Sequence, residues 1–377
     1  MKEGWEVKKL TDVCNIQYGY AFDSSCFCDD NSYPQLIRIR DVVRGYSETF
    51  YNGNIPEGYY INKGDYLIGM DGEFHIAPWQ SEKALLNQRV CKISASDCNV
   101  DERFIFYKMS VVLKQIEDET PFVTVKHLSA KRLNQVKIPI PPLPEQSRIV
   151  EELDLLSNII EKKRQQMSEL DNLAQSIFYD MFGDPVTNEK GWEVKKLGEV
   201  CKTSSGGTPS KSHSEYYEGG IIPWLRSGEV NQMYISKTEL FITEEGLANS
   251  SAKWFPENTV VIAMYGATVG QVGILCKIMT TNQAICGIFT NESFIPIYLY
   301  HFLLSKKEEF IKLASGGAQP NISQNIIRDT LVCCPKKELQ QLFAQKVEAI
   351  EKQKELIKQS IAETEQLFNS RMDYYFS

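Results

Sequence analysis

The stretch Gly4-Trp-Glu-Val-Lys-Lys-Leu10 recurs without change as Gly191-Trp-Glu-Val-Lys-Lys-Leu197, and the Val13-Cys14 pair behind it returns as Val200-Cys201. An offset of 187 residues marks an internal duplication, which decides the architecture before any single element is assigned. Arg38-x-x-Asp41-Val42 answers Arg226-x-x-Glu229-Val230 at 188, and Leu67-Ile-Gly-Met-Asp-Gly72 answers Val261-Ile-Ala-Met-Tyr-Gly266 at 194. Asn87-Gln88-x-Val90-Cys91-x-Ile93 then answers Asn282-Gln283-x-Ile285-Cys286-x-Ile288 at 195. The drift places a few extra loop residues of the second copy between about 230 and 260. Leu128-Ser129 and Pro141 pair with Ile322-Ser323 and Pro335, again at 194.

Each copy ends in a run without Gly or Pro that is rich in Glu, Gln, Lys and Leu and follows a proline, Pro144 or Pro335, as a helix start should. Alternating steps of four and three from Ile149 give Leu153, Leu156, Ile160, Lys163, Met167, Leu170, Ala174, Ile177 and Met181. The same steps from Phe343 give Val347, Ile350, Lys354, Ile357, Ile361, Thr364, Phe368, Arg371 and Tyr375. A 3.5-residue apolar period asks for a partner helix along its whole length, and the other copy is the obvious one. Two helices of about 38 residues, roughly 57 Å each at 1.5 Å per residue, should form an intramolecular antiparallel coiled coil. Lys163 and Lys354 interrupt the two seams, and buried polar residues at such positions can fix register at some cost in stability.

Within the copies, Gln35 to Arg40, Asp65 to Gly69 and Thr259 to Ala263 read as strands bounded by turn residues, while Glu102 to Gln115 and Phe294 to Lys312 read as helices. The expected class is α+β, with two similar mixed α/β domains and two long helices. The 377 residues, 42% of them apolar, can bury real cores, and the low Gly and Pro content excludes collagen and low-complexity classes. No apolar run approaches a membrane span, and the residues after Met1 lack the apolar stretch of a signal peptide, so a cytoplasmic protein without membrane contact is expected. Ten cysteines are scattered with no C-x-x-C pair and no histidine at metal-ligand spacing, which points to reduced, mostly buried thiols and no metal.

The net charge of −8 argues at first against a nucleic-acid partner. Its distribution weakens that argument: residues 1–140 carry −2, 141–190 carry −5, 191–338 carry 0 and 339–377 carry −1. Both large segments are near neutral and can hold a one-sided basic surface.

Signatures of catalysis are missing. There is no G-x-x-x-x-G-K-[ST] loop and no G-x-G-x-x-G between strand and helix. Gly266 to Gly273 reads as a tight turn, and Pro209 removes an N–H that a phosphate cradle at Gly206 to Ser210 would need. Asp71, Glu73 and Lys83 could suggest a metal nuclease, but the second copy has Tyr265 and Ala267 in place of the acids. Methyltransferase loops are likewise absent. What remains is recognition chemistry. Arg reads guanine and Asn or Gln reads adenine in the major groove, while Lys, Ser, Thr and backbone N–H groups hold phosphates. Arg38, Arg40, Lys126, His127, Lys131 and Arg132 in the first copy, and Thr208, Ser210, Lys211, Arg226, Lys253, Asn321, Ser323 and Gln324 in the second, are the candidates. The recurring Asn-Gln-x-[Val/Ile] motif reads as structural.

Two globular domains alternating with two repeated helices resemble the specificity (S) subunit of type I restriction-modification enzymes. The resemblance is carried by Gly4 to Leu10 and its repeat, Ser205-Gly-Gly-Thr-Pro-Ser210 with Ile222-Pro-Trp-Leu225, and Gly266-Ala-Thr-Val-Gly270 with Thr281-Asn-Gln-Ala284. It continues through Gln319-Pro-Asn-Ile-Ser323, Ile138-Pro-Ile-Pro-Pro-Leu-Pro-Glu-Gln146 and Ser176-Ile-Phe-Tyr-Asp-Met-Phe182, in the family's order over almost the whole chain. It implies target recognition domains at 1–141 and 184–335, a central helix at 142–183 and a distal helix at 336–377. It adds Tyr18, Tyr20, Gly207, Trp224 and Tyr265 to the DNA-binding candidates. Each domain would read one half of a bipartite site in double-stranded DNA. The seam formed by Leu153, Leu156, Ile160, Met167, Leu170, Ile177, Val347, Ile350, Ile357, Ile361 and Phe368 would hold the helices as a spacer ruler that docks two modification (methyltransferase) subunits. The resemblance further implies no catalytic residue, metal or cofactor in this chain. S-adenosylmethionine belongs to the modification subunits, and ATP and magnesium belong to separate restriction subunits that translocate and cut.

Half-sites about one DNA turn, ~34 Å, apart fit a helix pair of this length. Two departures stand out. The first copy has Gln17-Tyr-Gly-Tyr-Ala-Phe22 in place of the Gly-Gly-Thr-Pro-Ser loop, so the two half-sites should differ and the target should be asymmetric. The second has Cys333-Cys-Pro-Lys-Lys337 where a Pro-Leu-Pro-like turn is usual. The competing reading is a coiled-coil scaffold carrying two ligand- or protein-binding modules without DNA, for which the acidic pI of about 5.3 is the best support.

Overall fold

The computed structural model describes residues 4–120, 126–314 and 320–377. Met1 to Glu3, and Gln319 of the Gln319–Ser323 motif, lie outside the described residues. The chain divides into two compact units, Met1–Lys163 with Ser360–Ser377, and Arg164–Gln359.

In the first unit the repeated Trp-Glu-Val-Lys-Lys motif supplies a strand, Glu6–Lys9, that pairs antiparallel with Lys137–Ile140, the strand leading into the first long helix. Beside it lies a four-stranded antiparallel sheet in the order Cys14–Tyr18, Val90–Ala95, Tyr66–Gly69 and Ile76–Pro78. A second sheet, of five strands, holds Gln35–Ile37 parallel to Ala84–Leu86. The helix Glu102–Glu119 closes the core, capped by Asp101, whose carboxylate accepts the N–H groups of Arg103 and Phe104.

The second unit repeats this plan. Val194–Lys196 pairs with Leu331–Cys333, and a five-stranded sheet runs Lys202–Ser205, Ile285–Phe289, Val260–Ala263, Val272–Leu275, Tyr234–Ile235. A four-stranded sheet holds Leu240–Ile242, Ile222–Leu225, Met279–Thr281 and Trp254–Phe255. Val260–Ala263 is buried on both faces, as an unbroken apolar run at the centre of a sheet must be.

Three elements differ from the sequence expectation. The strand at Gln35 stops at Ile37, because the backbone N–H of Arg38 is taken by the Asp41 carboxylate at 2.9 Å and a helix starts at Ile39. The Arg226 N–H and Glu229 make the same capping contact at 3.2 Å, so the repeated Arg-x-x-acid motif is a helix cap. The helix expected over Phe294 to Lys312 is two, Pro296–Ser305 and Lys307–Leu313, broken at Lys306 (ψ 2°), whose ammonium turns back to Glu309 at 2.9 Å. The helix at Glu102 runs four residues beyond Gln115.

The long helices span Leu143–Phe182 and Lys337–Phe376, 40 residues each, so Pro144 falls in the first turn of its helix rather than before it. Both units contain an antiparallel stretch of this pair. In the first, Arg371 pairs with Glu152 and Lys163 meets Thr364 at 3.0 Å. In the second, Lys354 meets Asp171 at 2.6 Å and the rings of Phe178 and Phe343 stand 5.7 Å apart. Every seam position is buried or half-buried. Outside the heptad stepping, Phe178, Phe182, Met372 and Phe376 are also buried, because there the helices pack on a domain core as well as on each other. Ile149 and Leu153 share a core with Leu10, Phe104 and Phe376, and Val347 shares one with Leu197, Phe302 and Phe178. Burying one such side chain stabilises by about 1.5–3 kcal/mol.

All ten cysteines are free thiols, five of them buried and Cys98 alone exposed. No helix among the described residues is long and apolar enough to cross a membrane.

Candidate nucleic-acid interface

In the second unit the loop after strand Lys202–Ser205 is pressed onto the end of strand Met279–Thr281. The N–H of Gly207 donates to the Thr281 carbonyl at 2.9 Å, and a Cβ on Gly206 would lie 2.1 Å from Thr281 Oγ1 and 2.2 Å from its carbonyl oxygen. Only glycine permits that approach. Trp224 is 4% exposed, and its indole N–H donates to the Gly207 carbonyl at 3.0 Å. Its placement is that of a support for the loop, not of a contact surface. Around the loop lies a cleft of about 580 Å³ lined by Thr208, Lys211, Trp224, Arg226, Asn282 and Gln283, with Tyr217 and Leu240. Four of the sequence candidates therefore converge. Arg226 leans against Glu229, with Nε 3.1 Å from Oε1, and also meets Glu239, while Lys211 is exposed. Ser210 bonds Ser212 at 2.7 Å, and Lys253 is exposed beside the 46%-exposed Trp254.

Tyr265 and Asn321 are both exposed and face each other in an isolated antiparallel bridge. Ser323 caps the helix Gln324–Asp329, and the Gln324 amide bonds Ser205 and Thr203, so these two hold the fold together. Gly266–Thr268 is a tight turn, with Gly266 at φ +69°.

The first unit places Gly19 where the second has Gly206. A Cβ there would lie 2.0 Å from the Asn87 carbonyl, as one on Gly206 would meet Asn282, so the Gln17–Phe22 segment stands in for the glycine loop. Tyr20 is 42% exposed beside Phe22 and Tyr59, whereas the Tyr18 hydroxyl bonds Asn134 at 2.6 Å and burial pushes its pKa up to about 12. Arg38 and Arg40 are exposed around the Asp41 cap, with Arg40 Nε 3.7 Å from Asp41. Lys126 is clasped by Glu117, donating to its carbonyl at 2.8 Å. Lys131 and Arg132 are exposed on the short helix Ala130–Asn134, and Arg132 pairs with Glu119. His127 Nδ1 lies 2.5 Å from Asp71.

Asp71, Glu73 and Lys83 do not converge. Asp71 is held by His127, Glu73 by His75 at 3.0 Å, and Lys83 lies over the Tyr60 ring. No group of three or more His, Cys, Asp or Glu side chains placed to hold a metal occurs among the described residues.

Asn87 is 8% exposed and its side chain accepts the Gln88 N–H, which supports the structural reading of that motif. Gln88 and Gln283 at the turn tips are nevertheless exposed, and Arg89 joins the surface too. Sequence reasoning missed these because a strand-flanking motif looks structural as a whole, while only its outer residues are: Asn87 and Val90 are buried and the two between them are exposed.

A duplicated mixed α/β domain, each copy built onto an antiparallel helix pair and presenting polar residues on glycine-bounded turns, defines a two-domain recognition protein. The chain belongs to the type I restriction modification DNA specificity domain family, whose model matches twice, over residues 2–171 and 189–366. It is 28% identical over 381 residues to the type I restriction enzyme EcoBI specificity subunit of Escherichia coli, covering 92% of this chain and 79% of that one. A chain from a structure of complex assembly and conformational transition in the type I R-M system matches with a TM-score of 0.58 at 19% identity, over 100% of this chain and 98% of that one. The S subunit of a type-I restriction-modification system from M. genitalium matches with a TM-score of 0.50 at 13% identity, over 99% and 96% of the two chains. Identities this low show likeness of fold, and that fold is the two-domain, two-helix one expected above. The findings favour the specificity-subunit reading over the non-DNA scaffold.

Proposed function

We propose that this chain is the DNA sequence-specificity subunit of a type I restriction-modification system. Each unit reads one half of an asymmetric bipartite site in double-stranded DNA, and the helix pair sets the spacer and docks two modification subunits. The observation that carries this reading is a repeated scaffold with unlike loops. Sheets, caps and helix junctions recur in both units, while the Gln17–Phe22 segment differs in length and chemistry from the Ser205–Lys211 loop. One scaffold with two surfaces suits a target of two different half-sites. In this reading the chain works in the cytoplasm and contributes no catalytic residue. S-adenosylmethionine is used by the modification subunits, and ATP and magnesium by restriction subunits. Exposed apolar residues on the long helices, Leu155 and Leu367 in one unit and Leu342 and Leu356 in the other, are available to partner subunits.

The test is co-expression with a cognate modification subunit followed by methylation-sensitive sequencing of host DNA. A bipartite adenine-methylation motif that disappears without this chain is the expected result. Replacing Thr208 to Lys211 should then alter one half of the motif only. A well-formed complex that methylates nothing would refute the reading.

A further inference from the structure

We propose that Arg89 is a base-reading residue of the first unit, and that guanine is the base its guanidinium fits. The inference rests on the proposed function and deepens it.

Three backbone hydrogen bonds bring the relevant segments together, and the same three occur in both units. Met70 N–H donates to Arg89 O at 2.9 Å and Met264 N–H to Ala284 O at 2.8 Å. Leu128 N–H donates to Met70 O at 2.7 Å and Ile322 N–H to Met264 O at 2.9 Å; Gly72 N–H donates to Lys126 O at 2.9 Å and Gly266 N–H to Pro320 O at 2.8 Å. On this shared frame the first unit carries Asp71, Arg89 and His127, and the second carries Tyr265, Ala284 and Asn321. The hydrogen-bonded frame is shared while the side chains it carries differ, and at Arg89 the backbone differs as well, since Ala284 lacks the positive φ and is buried.

Arg89 is held in an unusual way. Its φ is +71°, and the other non-glycine residues with positive φ among those described, Asn188 and Asn258, are of a type that tolerates this region. Such strain persists where the surroundings impose it, and it clusters at functional positions. The Arg89 side chain is 51% exposed, with Nε 3.6 Å from Asp71 Oδ2. Nη1 lies 3.3 and 3.4 Å from the two ring nitrogens of His127, hence over the imidazole, and Asp71 in turn holds His127. These contacts steady one side of the guanidinium. Nη2 has no hydrogen-bond partner among the described residues, so part of the fork remains available. Guanine offers O6 and N7 as paired acceptors in the major groove, and a guanidinium can meet both with parallel N–H donors. Tyr20, whose carbonyl accepts the Gln88 N–H at 2.7 Å, and Gln88 itself flank the same turn.

The test uses the complex with modification subunits and the motif obtained by sequencing, the second unit's half being the one that Thr208 to Lys211 replacement alters. Duplexes carrying each base pair in turn at every position of the other half are bound by the wild-type complex, by Arg89→Lys and by Arg89→Asn. Arg89→Asn suits the left-handed backbone and keeps the turn. The wild-type complex should prefer guanine at one position by about 5- to 150-fold. Arg89→Asn should bring that preference to within about threefold of the other bases, and Arg89→Lys, which keeps the charge without the planar fork, should lower it, with every other position unchanged. An equal weakening on all sequences with a shallower salt dependence would identify a phosphate contact and overturn the inference, as would unchanged discrimination at every position. A wild-type complex with no bipartite motif would overturn the specificity reading and this inference together, so the two failures are told apart.

Discussion

The side-chain oxygen of Gln146 accepts the backbone N–H of Asp101 at 2.8 Å, tying the first turn of the first long helix to the start of helix Glu102–Glu119. The same buried side chain donates from Nε2 to the carbonyls of Asn99 and Pro141, each at 2.8 Å. Gln340 repeats the arrangement in the second unit, accepting the Ile295 N–H at 2.9 Å and donating to Ser293 and Pro335 at 3.0 and 2.9 Å. Both glutamines are fully buried, so each domain is joined to its helix by three hydrogen bonds, of which the one to the proline carbonyl is buried and the other two are partly buried.

Gln146→Leu and Gln340→Leu should each destabilise their own unit by about 2 kcal/mol, since each strands one buried proline carbonyl and leaves a partly buried N–H and carbonyl to water. Urea unfolding followed by hydrogen exchange checks this. Protection should fall in the unit that carries the substitution and persist in the other.

The loop at Gly206 makes a sharper prediction. Gly206→Ala forces a Cβ onto Thr281 and should cost about 2–3 kcal/mol, because the obstacle includes backbone that cannot swing aside. Gly228→Ala, with open space around its Cβ, serves as control and should leave the urea midpoint nearly unchanged. Equal effects from the two would refute the close-packing account.

Burial, reinforced by the nearby Lys354 ammonium, lowers the pKa of His301 to about 3. The imidazole is therefore neutral when folded and titrates near 6.5 when unfolded. The unfolded state takes up the extra proton, so stability is complete above pH 6.5 and declines as pH falls from there toward 3. Between pH 7.5 and 5.5 this group should remove about 1.4 kcal/mol. Comparing urea midpoints of wild type and His301→Gln at the two pH values isolates it, and identical pH slopes would rule it out.

Within the helix pair, Lys163 Nζ donates to Ser360 Oγ at 2.6 Å and Thr364 Oγ1 at 3.0 Å across the seam. Lys163→Leu should be neutral or stabilising by about 1 kcal/mol, because an ammonium half-withdrawn from water is exchanged for apolar contact. The thermal midpoint reads this directly. A loss of several degrees would show that the hydroxyl pocket contributes more than its desolvation costs.

DNA contacts should separate by salt. In the assembled complex, Lys211→Ala should weaken binding to all sequences alike and reduce the slope of log affinity against log salt by about one. A change confined to one base position would make Lys211 a reader rather than a phosphate contact.

Much of the fold was legible in one dimension. The Gly-Trp-Glu-Val-Lys-Lys-Leu repeat marked the duplication, and steps of four and three marked the seam, because backbone periodicity is written directly into residue spacing. Leu153, Ile160, Val347 and Ile361 lie where that period placed them. Three-dimensional packing decided the rest. Phe178 and Met372 fall outside the heptad and are buried because a domain core reaches them there. Trp224 and Gln324 are among the recognition candidates, yet their polar atoms are spent on Gly207, Ser205 and Thr203. Arg89 sits in a motif that reads as structural, and a left-handed turn brings it to His127, 38 residues away. Such contacts join residues distant in the chain and depend on chain reversal and side-chain direction, which no local pattern encodes.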